Sequence, residues 1–214
     1  MVPIKENLVP KDKYAIKCPY TRTPTRVVIH NTANDAPAAN EISYMRYNDL
    51  EISFHYAVDD VNIVQGIPEN RNAWASGDGH GKGNMEGIHI EICYSKSGGE
   101  KFDKAEQNAA EFTASLLKKY GWGIDKVTKH RDYDGKYCPH RTLDRGWQRF
   151  LSMVKRYMEP AKTPVASKFT PYLIRKNCRD ALNIRKGPST NYGILGQIKD
   201  TLRYTIVEER SGPG

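Results

Sequence analysis

Apolar residues along the first 158 positions recur with two different periods, and the switching between them predicts strands alternating with helices. Arg26-Val27-Val28-Ile29-His30 is a β-branched run that reads as a buried strand delivering His30 at its end. Gly87 to Cys93 alternates strictly, with Ile88, Ile90 and Ile92 on one face and His89, Glu91 and Cys93 on the other. Ser53-Phe54-His55-Tyr56-Ala57-Val58 reads as a further strand. Helical spacing takes over at Ala109, Phe112, Leu116 and Tyr120, where Asp103-Lys104-Ala105-Glu106 supplies a capping box variant with Asp103 as N-cap and Gly121 the stop. A second helix is predicted from about Asp144, burying Trp147, Phe150, Leu151, Val154 and Tyr157. A third follows Asp35 and Pro37 and carries Ile42, Met45 and Leu50. Aromatic residues at this spacing, Trp147 among them, read as core.

Both periods lapse in Glu159-Pro160-Ala161-Lys162-Thr163-Pro164-Val165-Ala166-Ser167, where two prolines and small residues give linker chemistry. Beyond it, Ala181-Leu182-Asn183-Ile184 makes a short alternating strand before a Gly187-Pro188 turn. The expected organisation is an α/β domain over residues 1–158, a linker over 159–170 and a small, apparently incomplete all-β, barrel-like domain over 171–214. Open strand edges and a small core would leave that tail weakly stable or completed by another chain.

Composition narrows the class. The chain has 214 residues, 38% hydrophobic and 27% charged, which suits a globular protein of this division. Met1 to Lys17 mixes Pro, Lys, Glu and Asp through its apolar residues, without the apolar run of a signal peptide or membrane span, so synthesis in the cytoplasm is expected. Cysteines 18, 93, 138 and 178 have no Cys-x-x-Cys spacing, which argues against a disulfide framework; Cys93 and Cys178 read as small buried apolar residues. The net charge of +8 is uneven, with +2 in residues 1–159 and +6 in 160–214. A basic tail is attracted to polyanions, whether nucleic acid, anionic lipid or teichoic acid, while the near-neutral first part speaks against nucleic acid.

The chemistry concentrates at His130 and Cys138, eight residues apart in a loop with no fourth ligand nearby, the spacing of an open metal site. His30, at its strand end, is the candidate third ligand. Two neutral imidazoles and one thiolate would leave zinc a positive charge and a position for water, whose pKa zinc lowers to about 7. Glu91, a carboxylate in an apolar strand, needs either a neighbouring cation or a proton-transfer task.

These residues carry a resemblance. Val-Ile-His-Asn-Thr at 28–32, Phe-His-Tyr-Ala-Val at 54–58, Ala-Trp at 73–74, Gly-Ile-His-Ile-Glu-Ile at 87–92 and the stretch from His130 to Cys138 resemble the type 2 N-acetylmuramoyl-L-alanine amidases, the group that includes phage lysozyme-type amidases and peptidoglycan recognition proteins. The resemblance implies a central mixed sheet flanked by helices with one zinc ion held by His30, His130 and Cys138. It further implies Glu91 as the proton shuttle, Lys136 as oxyanion stabiliser and Trp74 as a cleft-wall, substrate-binding residue. Phe54 stands where other members have Tyr, which puts more of the proton transfer on Glu91. His55 is expected to support the site through a hydrogen bond, His80 to sit in a rim loop, His89 to be structural and His140 peripheral. Leu182-Asn183-Ile184-Arg185-Lys186-Gly187-Pro188 is similar to the bacterial Src-homology-3-like wall-binding domains.

The expectation is a phage or prophage endolysin of a Gram-positive host that cuts the bond between N-acetylmuramic acid and L-alanine. Its partners would be peptidoglycan and teichoic acid, with no membrane insertion, and it would act on the wall once the membrane is permeabilised. A bacterial autolysin, a peptidoglycan-binding protein without catalysis and a basic nucleic-acid binder with a structural zinc are the alternatives.

Overall fold

The structure, a computed structural model, describes residues 1–159, 172–175, 181–186, 190–200 and 203–206. The chain divides into two compact units, Met1–Ala161 and Lys162–Gly214.

The first unit is built on β1 (Ile4–Glu6), β2 (Arg26–Asn31), β3 (Tyr56–Val58), β4 (Ile63–Gln65), β5 (Gly87–Ile92) and β6 (Val127–Lys129), which form one sheet in the order β1-β4-β3-β5-β2-β6. Within it β3 and β4 run antiparallel and all other neighbours parallel, so the sheet is mixed. The helices around it are α1 (Tyr14–Lys17), α2 (Ala38–Tyr47), α3 (Lys82–Glu86), α4 (Gly99–Tyr120), α5 (Arg131–Asp134), α6 (His140–Asp144) and α7 (Trp147–Met158). This is the α/β architecture that the two hydrophobic periods predict.

Strands β2 and β5 lie in the middle of the sheet, and Val27, Val28, Ile29, Ile88, Ile90 and Ile92 are fully buried there. Each such side chain contributes roughly 1.5–3 kcal/mol of burial. One face of the sheet packs on α4, where Tyr56 meets Phe112 edge-on at 4.6 Å, and α4 in turn buries its apolar stripe with Phe150 and Val154 of α7. The other face carries the polar alternates. Parallel register pairs Val28 with His89 and His30 with Glu91, so these side chains share a face.

Helix boundaries differ from the sequence expectation in three places. Helix α4 begins at Gly99, not after Asp103, because Gly98 and Gly99 both take positive φ (75° and 72°) and turn the chain into the helix one turn earlier. Asp103 instead pairs with Arg145 at 2.5 Å. The helix expected from Asp144 is interrupted at Gly146 (φ 100°), which separates α6 from α7. Helix α2 stops at Tyr47, leaving Leu50 outside and 49% exposed. Two lysines explain that stop. Lys13 Nζ donates to the carbonyls of Tyr47 and Asn48, and fully buried Lys17 donates to Asn48 Oδ1 (2.7 Å) and to the carbonyls of Leu50 (2.5 Å) and Ile52 (3.2 Å). A cation on the last carbonyls of a helix competes well with another turn.

In the second unit, β7 (Tyr172–Arg175) pairs antiparallel with β10 (Arg203–Ile206), and β8 (Leu182–Arg185) with β9 (Ile194–Ile198). The strand expected at 181–184 is thus present, though Leu182 and Ile184 are both exposed. Cys178, linker residues 160–170 and the Gly187-Pro188 turn lie outside the described residues. Cys18, Cys93 and Cys138 are buried free thiols, and no helix among the described residues is long and apolar enough to cross a membrane.

Candidate active site and metal centre

His30, Glu91 and His130 sit at the carboxyl ends of three neighbouring parallel strands, β2, β5 and β6, where open α/β sheets place their ligands. A cleft of about 1260 Å³ opens there, with Glu91, His130, Lys136 and Cys138 among its lining residues. His130 enters because its backbone N–H continues the β6 pairing by donating to Ile29 O at 3.2 Å. Cys138 is brought back to it when Arg131 N donates to Cys138 O at 3.0 Å.

Ligand atoms of His30, His130 and Cys138 all lie within 4.8 Å of one another, and all three residues are buried. The two Nδ1 atoms of His30 and His130 face each other at 3.1 Å. The Asp134 carboxylate, an acceptor, sets the tautomer of His130, and His89 is the partner of the other nitrogen of His30. His89 N donates to His55 Nδ1 (3.1 Å), so His55 carries its proton on Nε2 and donates to Arg71 O (2.9 Å). His30 Nε2 lies 3.0 Å from His89 Nδ1, and His130 Nε2 lies 3.0 Å from Asp134 Oδ2. With both Nε2 atoms as donors, both Nδ1 lone pairs point into the same space, an arrangement that a cation relieves. Burial pushes His30 and His89 well below the usual histidine range, and lowers His130 against the pull of Asp134, so the rings are kept neutral as metal binding needs. The Cys138 thiol is pushed up to about 12 by burial and by Glu91, so ionising it calls for a strong local cation. This donor set fits zinc: two imidazole nitrogens and one sulfur, each imidazole steadied from behind.

Glu91 faces the cleft with Oε2 buried and without a hydrogen-bond partner among the described residues. Burial, aided by Glu41, raises its pKa to about 8, with Lys136 opposing. Lys136 is exposed at the cleft, its backbone N–H fixed on Asp134 Oδ1 at 2.8 Å. Phe54 also lines the cleft. Trp74 forms part of the wall, held by Nε1 donating to Ile16 O (3.0 Å) and by its backbone N–H on Ser53 Oγ (2.9 Å).

The remaining histidines divide. His55 acts at one remove, stacked on His89 with centroids 5.6 Å apart, and does not touch His30 or His130. His80 is exposed on the cleft rim beside Trp74, and His140 reaches Ser95 O. His89 goes beyond the structural part expected of it, since it holds the imidazole of His30. Asp134 was not singled out from sequence at all. Its signal was available: on a helical turn following His130, position i+4 returns to the same side.

The fold thus brings together three side chains that could hold a metal ion and a buried carboxyl at one cleft. Residues 20–141 match the family described as N-acetylmuramoyl-L-alanine amidase, Amidase_2, and the chain belongs to that family. It is 58% identical over 146 residues to the N-acetylmuramoyl-L-alanine amidase CwlA of Bacillus subtilis (68% of this chain, 54% of CwlA). It is 51% identical over 181 residues to the N-acetylmuramoyl-L-alanine amidase XlyB of the same organism (82% of this chain, 57% of XlyB). The chain therefore spans little more than half the length of these relatives. The solved structure of PlyL superimposes with a TM-score of 0.70 at 52% identity, covering 72% of this chain and 97% of PlyL.

Proposed function

We propose that this protein is a zinc-dependent peptidoglycan hydrolase that cleaves the amide between the lactyl group of N-acetylmuramic acid and L-alanine. The observation that carries the reading is the convergence of His30, His130 and Cys138 in one cleft with Glu91, whose buried Oε2 has no hydrogen-bond partner among the described residues, in a chain of the amidase family. Zinc, when bound, supplies a Lewis acid for the carbonyl and lowers the pKa of water.

The chain's own residues would do the rest. His89 and Asp134 hold the two imidazoles in the tautomers that present Nδ1. Glu91 takes the proton of the attacking water and returns it to the leaving amine of alanine, a task suited to a carboxyl whose pKa lies near neutrality. The ammonium of Lys136, at the cleft and without an ion pair among the described residues, stabilises the oxyanion. Trp74 provides a fixed wall for substrate.

The second unit we assign to wall binding, through peptide or teichoic acid, on the strength of the Leu-Asn-Ile-Arg-Lys-Gly-Pro signature and the basic excess of the tail. The biological role we favour is that of a phage or prophage endolysin, held in the host cytoplasm and acting on the wall once the membrane is opened, with a bacterial autolysin as the alternative.

The test is release of new L-alanine amino termini from purified Gram-positive walls, with reducing ends followed in parallel. Chelator-sensitive alanine termini without new reducing ends are expected. Wall binding without release would make the chain a recognition module.

A further inference from the structure

One cleft wall has a composition unlike the others. Tyr20, Trp74 and His80 meet edge to face, with centroids 6.2 Å apart for Tyr20–Trp74, 5.4 Å for Tyr20–His80 and 5.6 Å for Trp74–His80. Tyr20 Oη lies 3.2 Å from His80 Nε2. The group is anchored from below: Tyr20 N donates to Asn72 Oδ1 at 2.9 Å, Asn72 N donates back to Tyr20 O at 3.0 Å, and Trp74 is fixed at both its nitrogens. Yet Tyr20 is 42% exposed and His80 is exposed as well. Three preset rings that still show surface to a cleft are poor core and good platform.

Charge separates this wall from the rest. The cleft-lining residues from segments 15–20 and 74–84 include no carboxylate and no ammonium, whereas α2, the loop after it and the 130–140 segment bring Glu41, Glu51, Asp134 and Lys136. The bond to be cut, on the function proposed above, joins an uncharged pyranose on its acyl side to a peptide stem bearing carboxylates and an amine on its amino side. We infer that Tyr20, Trp74 and His80 form a subsite for the N-acetylated sugar, which leaves the charged stem to the part of the cleft that carries Glu41, Glu51, Asp134 and Lys136. Sugar C–H bonds lie against the negative faces of aromatic rings, and the Tyr20 hydroxyl and the His80 ring offer hydrogen bonds to hydroxyl or acetamido groups.

The inference rests on the amidase reading, and its test separates the two. Full-length zinc-loaded protein would be assayed on a muramoyl peptide and on the matching N-lactoyl peptide, which has the same scissile amide but no sugar. For Tyr20→Ala and His80→Ala, the preference in kcat/KM for the muramoyl substrate is expected to fall by about tenfold. Equal losses on both substrates, or no loss, would overturn the subsite. Cleavage of neither substrate by the unaltered protein would overturn the amidase reading instead. In that case calorimetric titration with an uncharged N-acetylglucosamine trimer decides the subsite by itself: binding that Tyr20→Ala abolishes supports it, and absence of binding ends it.

Discussion

His130 Nε2 lies 3.0 Å from Asp134 Oδ2, one helical turn further along the chain, and this contact decides which nitrogen of the imidazole faces His30. Replacing Asp134 by Ala should weaken zinc binding by about 10–100-fold while leaving the fold intact, since the carboxylate lies outside the core. Competition against a fluorescent chelator would measure it, and unchanged affinity would remove Asp134 from the site.

Ligand and proton shuttle should separate by mutation. Cys138→Ser is expected to lose metal and activity together. Glu91→Ala should keep a full equivalent of zinc and lose about 100-fold or more of the rate. Metal analysis of both purified variants checks the division of labour, and a metal-free Glu91→Ala protein would undo it.

Lys17 should matter for both stability and the cleft. Lys17→Met leaves the carbonyls of Leu50 and Ile52 without the lysine donor and Asn48 Oδ1 with the Leu50 N–H alone, at a cost of about 3 kcal/mol in denaturant unfolding. Because Asn48, Glu51 and Ile52 line the cleft, KM on wall fragments is expected to rise more than kcat falls. A variant as stable as the parent would contradict this account.

Glu69 offers a pH dependence away from the metal. Burial would raise its pKa, but hydrogen bonds from Lys119, Tyr120 and Tyr56 outweigh that and hold it below the usual glutamate value. A carboxyl with a lowered folded-state pKa contributes stability above its unfolded value, and the contribution is lost as pH falls through the folded one. Glu69→Gln should therefore cost about 2 kcal/mol at pH 7 and progressively less below about pH 4. Parallel denaturation curves would show the two proteins converging in acid; a constant gap would count against the linkage.

Much of this site was legible in the sequence because strand alternation fixes facing. His30 at the end of a β-branched run and Glu91 in an isoleucine strand could be placed on one face only if the strands were neighbours, and the register confirms that they are. Helix ends were less legible. Asp103 satisfied every local rule for a cap, but two glycines at positive φ started the helix earlier, and Leu50 fitted the period of α2 until the lysines of a distant segment closed the helix off. Contacts such as Lys17 to Leu50 and His30 to His89 depend on chain segments separated by 33 and 59 residues, which no local pattern encodes.

The pairing of His30 with Glu91 across two central parallel strands has a consequence for when the protein can work. Both residues reach the cleft only if β2 and β5 align without a one-residue slip, and a slip would send one of them to the helix-packed side. No fragment lacking either strand, and no loosely collapsed chain, can assemble the pair. Hydrolytic activity would then be all-or-none with folding, so turnover would serve as a direct gauge of the correctly folded population in any preparation.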